Sequence, residues 1–380
     1  MSDKIRVGIT GRQGFIGTHL SNFLKTKDEI ELVDFEKGYF NDPGKLKAFV
    51  KNCDAIVHLA AMNRHEDQQV IYNTNVDLVN RLVAACTETD SKPHILFSSS
   101  TQEDMSNLYG ESKLHGRQAL GAWAKGSGAL VTGMVIPNVF GPFGKPFYNS
   151  VIATFCYQLT HNEQPQVKVD SEVKLIYVNE LVTEIYRLIA DPGSAGERIN
   201  GSSKVSIRPN HSAKVSEILA LLTTYRDDYI EKGIFPDLTD EFKKALFNTF
   251  RCYMPVEYYP RPFKLNKDNR GMFVEIARTE TPGQTSYSTT VPGITRGNHY
   301  HTRKAERFAV IKGQARIQLR KTGTDEVINY ELDGNEPAYV DMPVWYTHNI
   351  TNTGQNELIA IFWINEPYDA RDPDTFFETV

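Results

Sequence analysis

His299 and His301 stand one residue apart, and Glu306 follows five residues after the second histidine. His348 lies further on. Alternate residues of a strand share a face, so a strand through "NHYH" points both imidazoles the same way. Three imidazoles and one carboxylate suit zinc, iron, manganese or nickel, and leave positions open for water or substrate. A different chemistry is written at the other end of the chain. Gly11, Gly14 and Gly17 follow the apolar run "RVGIT" and open a helical pattern. Such glycines let the backbone approach a pyrophosphate, which the free N–H groups and dipole of the helix N-terminus hold. Asp34 closes "IELVDF", where an acid binds adenosine ribose hydroxyls and favours NAD. Arg12, inside the turn, favours the opposite choice, because it can pair with the 2′-phosphate of NADP. Tyr109 and Lys113 are four apart and share a helix face. A phenol ordinarily titrates at about 10. A neighbouring ammonium is expected to lower that value, so that the tyrosine can protonate a ketone oxygen as hydride arrives at carbon. "FSSST" offers Ser98, Ser99 and Ser100 as hydroxyl partners for the same oxygen.

The elements that must position these groups follow from the pattern. From residue 5 to about 190, "IRVGIT", "IELVDF", "DAIVHLAA", "HILFSSS" and "LVTGMVIP" alternate with helical stretches at 14–25, 44–51, 73–87 and 109–125. This alternation implies a parallel sheet with helices on both faces. Two more helices are expected between 205 and 260, followed by a boundary at "MPVEYYPRP". "MFVEIART", "ERFAVIKG", "ARIQLRK", "AYVDMP" and "ELIAIFWI" then read as short strands of a barrel or sandwich. The 380 residues allow two domains, expected at 1–250 and 251–380. A net charge of −5 gives no argument for nucleic-acid or membrane-surface binding. The four cysteines are scattered, no leader pattern precedes the first strand, and no apolar run reaches about 18 residues. A cytoplasmic protein is expected.

"TGRQGFIG", "VHLAA", Asn75, "FSSS", "YGESK" and "PNVFGP" occur in the order found in the extended short-chain dehydrogenase/reductase family, which the front of the chain resembles. The resemblance implies Ser100, Tyr109 and Lys113 as the catalytic trio. It implies nicotinamide-cofactor contacts from Gly11, Arg12, Gly14, Phe15, Ile16, Gly17, Asp34, Leu59, Ala60, Ala61, Asn75, Lys113, Pro137 and Asn138, and sugar contacts around Asn138. Two departures stand out. Eight residues separate Ser100 from Tyr109, fewer than is usual in the family, and Val135 and Ile136 occupy the place of a frequent arginine. Sugar dehydratases of this family carry an acid pair just after the hydroxyl residue. Here Thr101 and Gln102 stand there, and Glu103 and Asp104 read as loop acids, so a reductase is expected.

Gly293, His299, His301, Glu306 and Gly313 fit G-x5-H-x-H-x4-E-x6-G. Pro343, His348 and Asn352 fit P-x-G-x2-H-x3-N, with Trp345 in place of the glycine. This part resembles the cupin family, which implies His299, His301, Glu306 and His348 as ligands of a divalent metal, zinc first. "DNRGMFVE" and "TRGNHY" are similar to metal-free cupin epimerases, in which the histidine matching His299 is the base. His299 thus has two readings, and with a metal present Lys304, Tyr300 and Tyr346 are candidate bases. Arg270 and Arg296 are candidates to hold a diphosphate. The domain order, with "FYNSVIATFCY" and "DPDTFFETV", resembles the bifunctional capsular-polysaccharide enzymes that act on UDP-2-acetamido-2,6-dideoxy-hexos-4-ulose. That resemblance implies a Rossmann-type doubly wound parallel sheet followed by an all-β cupin barrel. It implies C3 epimerisation of a UDP-sugar in the cupin and NADPH-dependent C4 reduction in front, giving UDP-N-acetyl-6-deoxy-talosamine on the route to N-acetyl-fucosamine. Asp34 keeps NAD open as the cofactor. A homodimer is expected. A reductase carrying a cupin without chemistry is the competing reading.

Overall fold

The computed structural model describes residues 4–269 and 271–380, so Arg270 lies outside the described residues. The chain packs as two compact units. One comprises the chain up to Phe140 with 148–150 and 172–213; the other comprises 141–147, 151–171 and 214–380.

In the first unit the short apolar runs become strands buried on both faces, as a parallel sheet requires. They are β1 (Ile5–Thr10), β2 (Ile30–Val33), β3 (Ala55–His58), β4 (His94–Ser100) and β5 (Val131–Ile136). After these come β6 (Asn138–Phe140), β7 (Glu172–Tyr177) and β8 (Ser202–Ser206). The main sheet runs β2-β1-β3-β4-β5-β8 with every pair parallel. Helices α1 (Phe15–Leu24), α2 (Pro43–Lys51), α3 (Gln68–Glu88) and α4 (Leu108–Ser127) cover it. Phe49, Phe97, Leu120 and Trp123 fill the space between sheet and helices. From β1 the chain steps outward to β2, then returns to the other flank of β1 at β3. That reversal opens a crevice beyond the C-terminal ends of β1 and β3, the place where open α/β sheets bind ligands.

In the second unit two five-stranded sheets enclose an apolar core of Phe308, Val310, Ile317, Leu319, Val340 and Ile350. One sheet has Gln284–Thr290 at its edge, next to Leu358–Ile364 and then Glu306–Lys312. The other orders Val327–Asp333, Gln314–Lys321, Tyr346–Asn352, Thr295–Tyr300 and Phe376–Phe377. Gln284–Thr290 and Val327–Asp333 were not anticipated from the sequence. "MFVEIART" forms strand only at Gly271–Phe273 and Arg278–Thr279. α5 (Val151–Thr160) belongs to this unit and α6 (Val178–Ala190) to the first; residues 214–250, grouped with the front by sequence pattern, pack in this unit as α7 (Val215–Tyr225) and α8 (Glu241–Arg251). A buried polar cluster explains the grouping. Arg307 donates twice to Asp341, at 2.7 and 2.9 Å, and Tyr229, just beyond α7, donates to the same carboxylate at 2.6 Å.

Candidate active sites

The glycine turn sits at the crevice of the first unit. Gly11 has φ +75°, and a Cβ there would meet the Ala60 nitrogen at 2.8 Å and the Leu59 carbonyl carbon at 3.1 Å. A Cβ on Gly17 would run into the Gly11 carbonyl oxygen. Gly14 caps α1 and donates its N–H to Gly11 O at 2.9 Å. Turn, helix start and the Leu59–Ala61 segment are thus in direct backbone contact only because side chains are missing. Phe15 and Ile16, half-buried, begin α1. Asn75, buried on α3, accepts from Met62 N–H at 2.7 Å and donates to Met62 O and Ser112 Oγ at 3.1 and 3.0 Å. It braces the segment that follows β3. Arg12 and Asp34, read as opposing signals, bind each other at 2.9 Å, and Arg12 also donates to Ser21 Oγ at 3.0 Å. Pro137 is buried, whereas Asn138 is exposed and donates to Lys174 O at 3.3 Å.

The three serines differ in what they bind. Ser98 Oγ donates to His58 O at 3.0 Å, and Ser99 Oγ donates to Glu103. Ser100 Oγ instead accepts from Gln102 N–H at 3.2 Å. Tyr109 stands in the first turn of α4, which Asn107 caps by accepting from Gly110 N–H at 2.8 Å. A Cβ on Gly110 would collide with the Gln102 carbonyl, so this glycine lets the helix start press against the segment after β4. Lys113 is buried. Its Nζ donates to Ser98 O at 2.9 Å and lies 5.7 Å from the centre of the Tyr109 ring.

The expected lowering of the phenol is not what this arrangement does. Burial pushes Tyr109 up to about 12, and the Tyr148 phenol adds to the rise. Burial also takes Lys113 down to about 8, against the pull of Glu103. Removing both groups from water favours their neutral forms and outweighs their proximity. Glu103 is a second correction, for it is not a loop acid. It is buried, and Arg117 donates to its two oxygens at 2.9 and 2.8 Å. Asp104 is exposed. His58 carried no signal in the sequence beyond its place in "VHLAA". It is buried with Nδ1 2.8 Å from Thr10 Oγ1, and burial followed by the Lys113 charge takes it down to about 3.

In the second unit His299, His301, Glu306 and His348 form the group suited to a metal among the described residues, with one donor atom from each lying within 4.8 Å of all the others. Strand pairing builds it: His299 sits opposite His348 across a register shift at Gly297, and Glu306 opens the facing Glu306–Lys312 strand. His301 Nδ1 lies 2.5 Å from Asp374 O, and His348 Nδ1 lies 3.0 Å from Tyr346 O. A carbonyl only accepts, so both Nδ1 atoms carry the hydrogen, and in the neutral rings that a metal needs both Nε2 atoms present lone pairs. Those Nε2 atoms stand 3.2 and 3.3 Å from Glu306 Oε2. Lone pairs facing a carboxylate at this distance need a proton or a cation among them. The buried His348 Nε2 has no hydrogen-bond partner. Burial, then the neighbouring His348 and His301, take His299 down to about 4, which keeps it neutral as a ligand must be. The donor set therefore fits a divalent metal.

The cluster opens into a cavity of about 290 Å³ lined also by Lys304, Tyr368 and Thr375. Of the three candidate bases, Lys304 reaches it. Tyr300 is instead stacked between Trp345 and Phe376, with ring centres 5.6 and 5.3 Å away, and Tyr346 packs on Phe143. Arg296 is exposed and donates to Thr290 Oγ1 and Thr289 O at 3.0 and 3.1 Å, outside the cavity lining. Trp345, which replaces the motif glycine, keeps the left-handed backbone a glycine would adopt, with φ +61°.

Residues 7–200 match the NAD dependent epimerase/dehydratase family. The chain belongs to that family. Residues 266–376 match the polysaccharide biosynthesis C-terminal domain. This member of the NAD dependent epimerase/dehydratase family is 30% identical over 374 residues to the UDP-2-acetamido-2,6-beta-L-arabino-hexul-4-ose reductase of Pseudomonas aeruginosa, an overlap covering 98% of each chain. Its second part is 25% identical over 119 residues to the spore coat polysaccharide biosynthesis protein SpsL of Bacillus subtilis, covering 29% of this chain and 79% of that one. Among solved structures it resembles the capsular polysaccharide assembling protein CapF from Staphylococcus aureus, at 37% identity and TM-score 0.62, covering 98% of this chain and 100% of that one. The family's nicotinamide chemistry makes this chain an enzyme, and its fold class is that expected from the sequence: a Rossmann-type sheet followed by a cupin-like barrel.

Proposed function

We propose that the chain is a two-step nucleotide-sugar enzyme: its β-rich unit inverts C3 of a UDP-4-keto-6-deoxy-N-acetylhexosamine, and its front unit then reduces the C4 ketone. The product is UDP-N-acetyl-6-deoxy-talosamine, on the way to N-acetyl-fucosamine for a surface polysaccharide. The donor cluster in an open cavity carries the reading, because a reductase alone has no use for it. The Pseudomonas relative, named for reduction of a hexul-4-ose, supports the second step.

A ketone makes the neighbouring C3–H acidic. A zinc ion held by His299, His301, Glu306 and His348 would draw charge from the C4 ketone and raise that acidity further. Lys304, which borders the cavity, would be the group to meet the sugar there. In the front unit, bound NADPH or NADH would supply the hydride to C4. Tyr109 gives the C4 oxygen its proton, Ser100 donates a hydrogen bond to the same oxygen, and the Lys113 ammonium steadies the charge around them. The Gly11–Gly17 turn takes the pyrophosphate. Arg12 takes the 2′-phosphate once it leaves Asp34, so NADPH is the preferred cofactor. Asn138 meets the sugar. The enzyme works in the cytoplasm as a homodimer.

The experiment is mass spectrometry of the keto-sugar incubated in heavy water, without and then with NADPH. One deuterium gained without nicotinamide, followed by the mass gain of reduction, is the expected result. Tyr109→Phe should lose reduction by about 10²–10⁴-fold and keep the exchange. His348→Ala should lose the exchange and still reduce the epimerised intermediate. Reduction without exchange by the wild type would leave the cupin a binding or assembly module.

A further inference from the structure

We propose that Asp374 is the residue that positions His301 for the metal, through a clasp formed by residues 372–380. This role rests on the metal reading above. Asp374 lies 73 residues beyond His301, yet it is 3% exposed and grips the turn that follows that histidine. One carboxylate oxygen accepts from Thr302 N–H at 3.0 Å and Thr302 Oγ1 at 2.6 Å. The other accepts from Arg303 N–H at 3.0 Å and Lys304 N–H at 3.1 Å. Its own carbonyl accepts from His301 Nδ1. A metal-binding imidazole has one nitrogen for the ion, and the partner of the other nitrogen fixes tautomer and ring direction. In Asp374 that partner and the anchor of the adjoining backbone are one residue. Its φ of +42° turns the carbonyl toward the ring, a conformation that aspartate and asparagine tolerate better than most residues.

The neighbours of Asp374 hold the clasp on both sides of the ligand strands. Pro373 O accepts from Lys304 Nζ at 2.7 Å. Phe377 and Phe376 pair with His299 and Tyr300. Glu378 donates its N–H to Asn298 O at 3.0 Å, and its carboxylate accepts from Thr347 Oγ1 at 2.9 Å and Arg320 Nη2 at 3.0 Å. Every ligand-bearing segment of the Thr295–Tyr300 and Tyr346–Asn352 strands is therefore tied to residues 372–380.

Asp374→Asn keeps the backbone preference but turns one acceptor into a donor facing the Arg303 and Lys304 N–H groups. Thr302→Val removes only the hydroxyl contact. The full chain and both variants are stripped with a chelator, reloaded with one equivalent of zinc, and timed as zinc passes to a chromogenic chelator. Cobalt-loaded samples give the visible spectrum of the ligand field, circular dichroism reports folding of the β-rich unit, and NADPH binding reports that the front unit is intact. Asp374→Asn should release zinc about 10- to 100-fold faster, with an altered cobalt spectrum and unchanged NADPH binding. Thr302→Val should move release the same way by a few-fold. Wild-type release and spectrum in both variants, even with lower melting temperatures, would overturn the role. If Asp374→Asn does not fold, wild-type release from Thr302→Val overturns it. A wild-type chain that holds no more zinc than His348→Ala overturns the metal reading itself.

Discussion

Lys113 carries a charge in a place that resists it. Burial lowers its ammonium from an ordinary 10.5 to about 8. Between those values the unfolded chain binds the proton and the folded protein does not. Stability therefore rises with pH through this window, and the cost of the buried charge is fully present below pH 8. Urea unfolding from pH 7 to 10 should show the stability of the wild type rising relative to that of Lys113→Met, a difference that cancels the opposite contribution of the buried thiols common to both. The same loss of charge should weaken NADPH binding above about pH 8, well before an exposed lysine would titrate. A fluorescence titration of NADPH across that range checks it. The phenol expectation failed for a related reason. Tyr109 and Lys113 were read as a mutually helpful pair because four residues separate them. Spacing says which groups are neighbours but not how far both are removed from water, and here burial dominates each of them.

At the scale of elements, α4 is the part on which the proposed reduction depends, since it carries both Tyr109 and Lys113. Its start is set by the absence of a side chain at Gly110. Gly110→Ala should force the helix away from the Gln102 carbonyl at a cost of about 1–3 kcal/mol. Melting temperature and NADPH oxidation should fall together, with zinc retention unchanged; unaltered oxidation would detach α4's position from catalysis. The parallel strands were legible because burial on both faces writes continuous apolar runs, and "HILFSSS" was found to the residue. Gln284–Thr290 was not legible, because "QTSYSTT" is an edge strand, exposed along nearly its whole length, and carries no apolar signal. Glu103 was misread because its partner Arg117 is 14 residues on, a distance only the packing of α4 closes. That His299, His301, Glu306 and His348 gather in one place was legible from their spacing, whereas Asp374 was not, since nothing local in "DPDTFFETV" points back to His301.

For the whole molecule, the formal charge is −5, and among the described residues no helix is long and apolar enough to cross a membrane. The Gln284–Thr290 strand offers a patch for association. Among the described residues no further strand pairs with its outer edge, it has no charged residue, and Tyr287, Val291 and Ile294 are exposed along and just beyond it. Native sheets usually guard such an edge with charges or a cover. A second copy of the chain is the cover proposed here. Light scattering should give a wild-type mass twice 43.0 kDa, and Tyr287→Asp should move it toward the monomer. A wild-type monomer would refute the pairing.

Trp345 closes the account of the β-rich unit in a different currency, that of light. Its ring is fully buried against Tyr300, which is itself stacked on Phe376, and its backbone N–H donates to the His301 carbonyl at 2.8 Å. The residue in the place of the motif glycine is thus a fluorophore whose main chain is bonded to the main chain of one ligand residue and whose ring is stacked toward the clasp. Ultraviolet emission from the unlabelled enzyme, recorded without nicotinamide, should therefore change as zinc fills that cluster, above a constant background from Trp123 and Trp363.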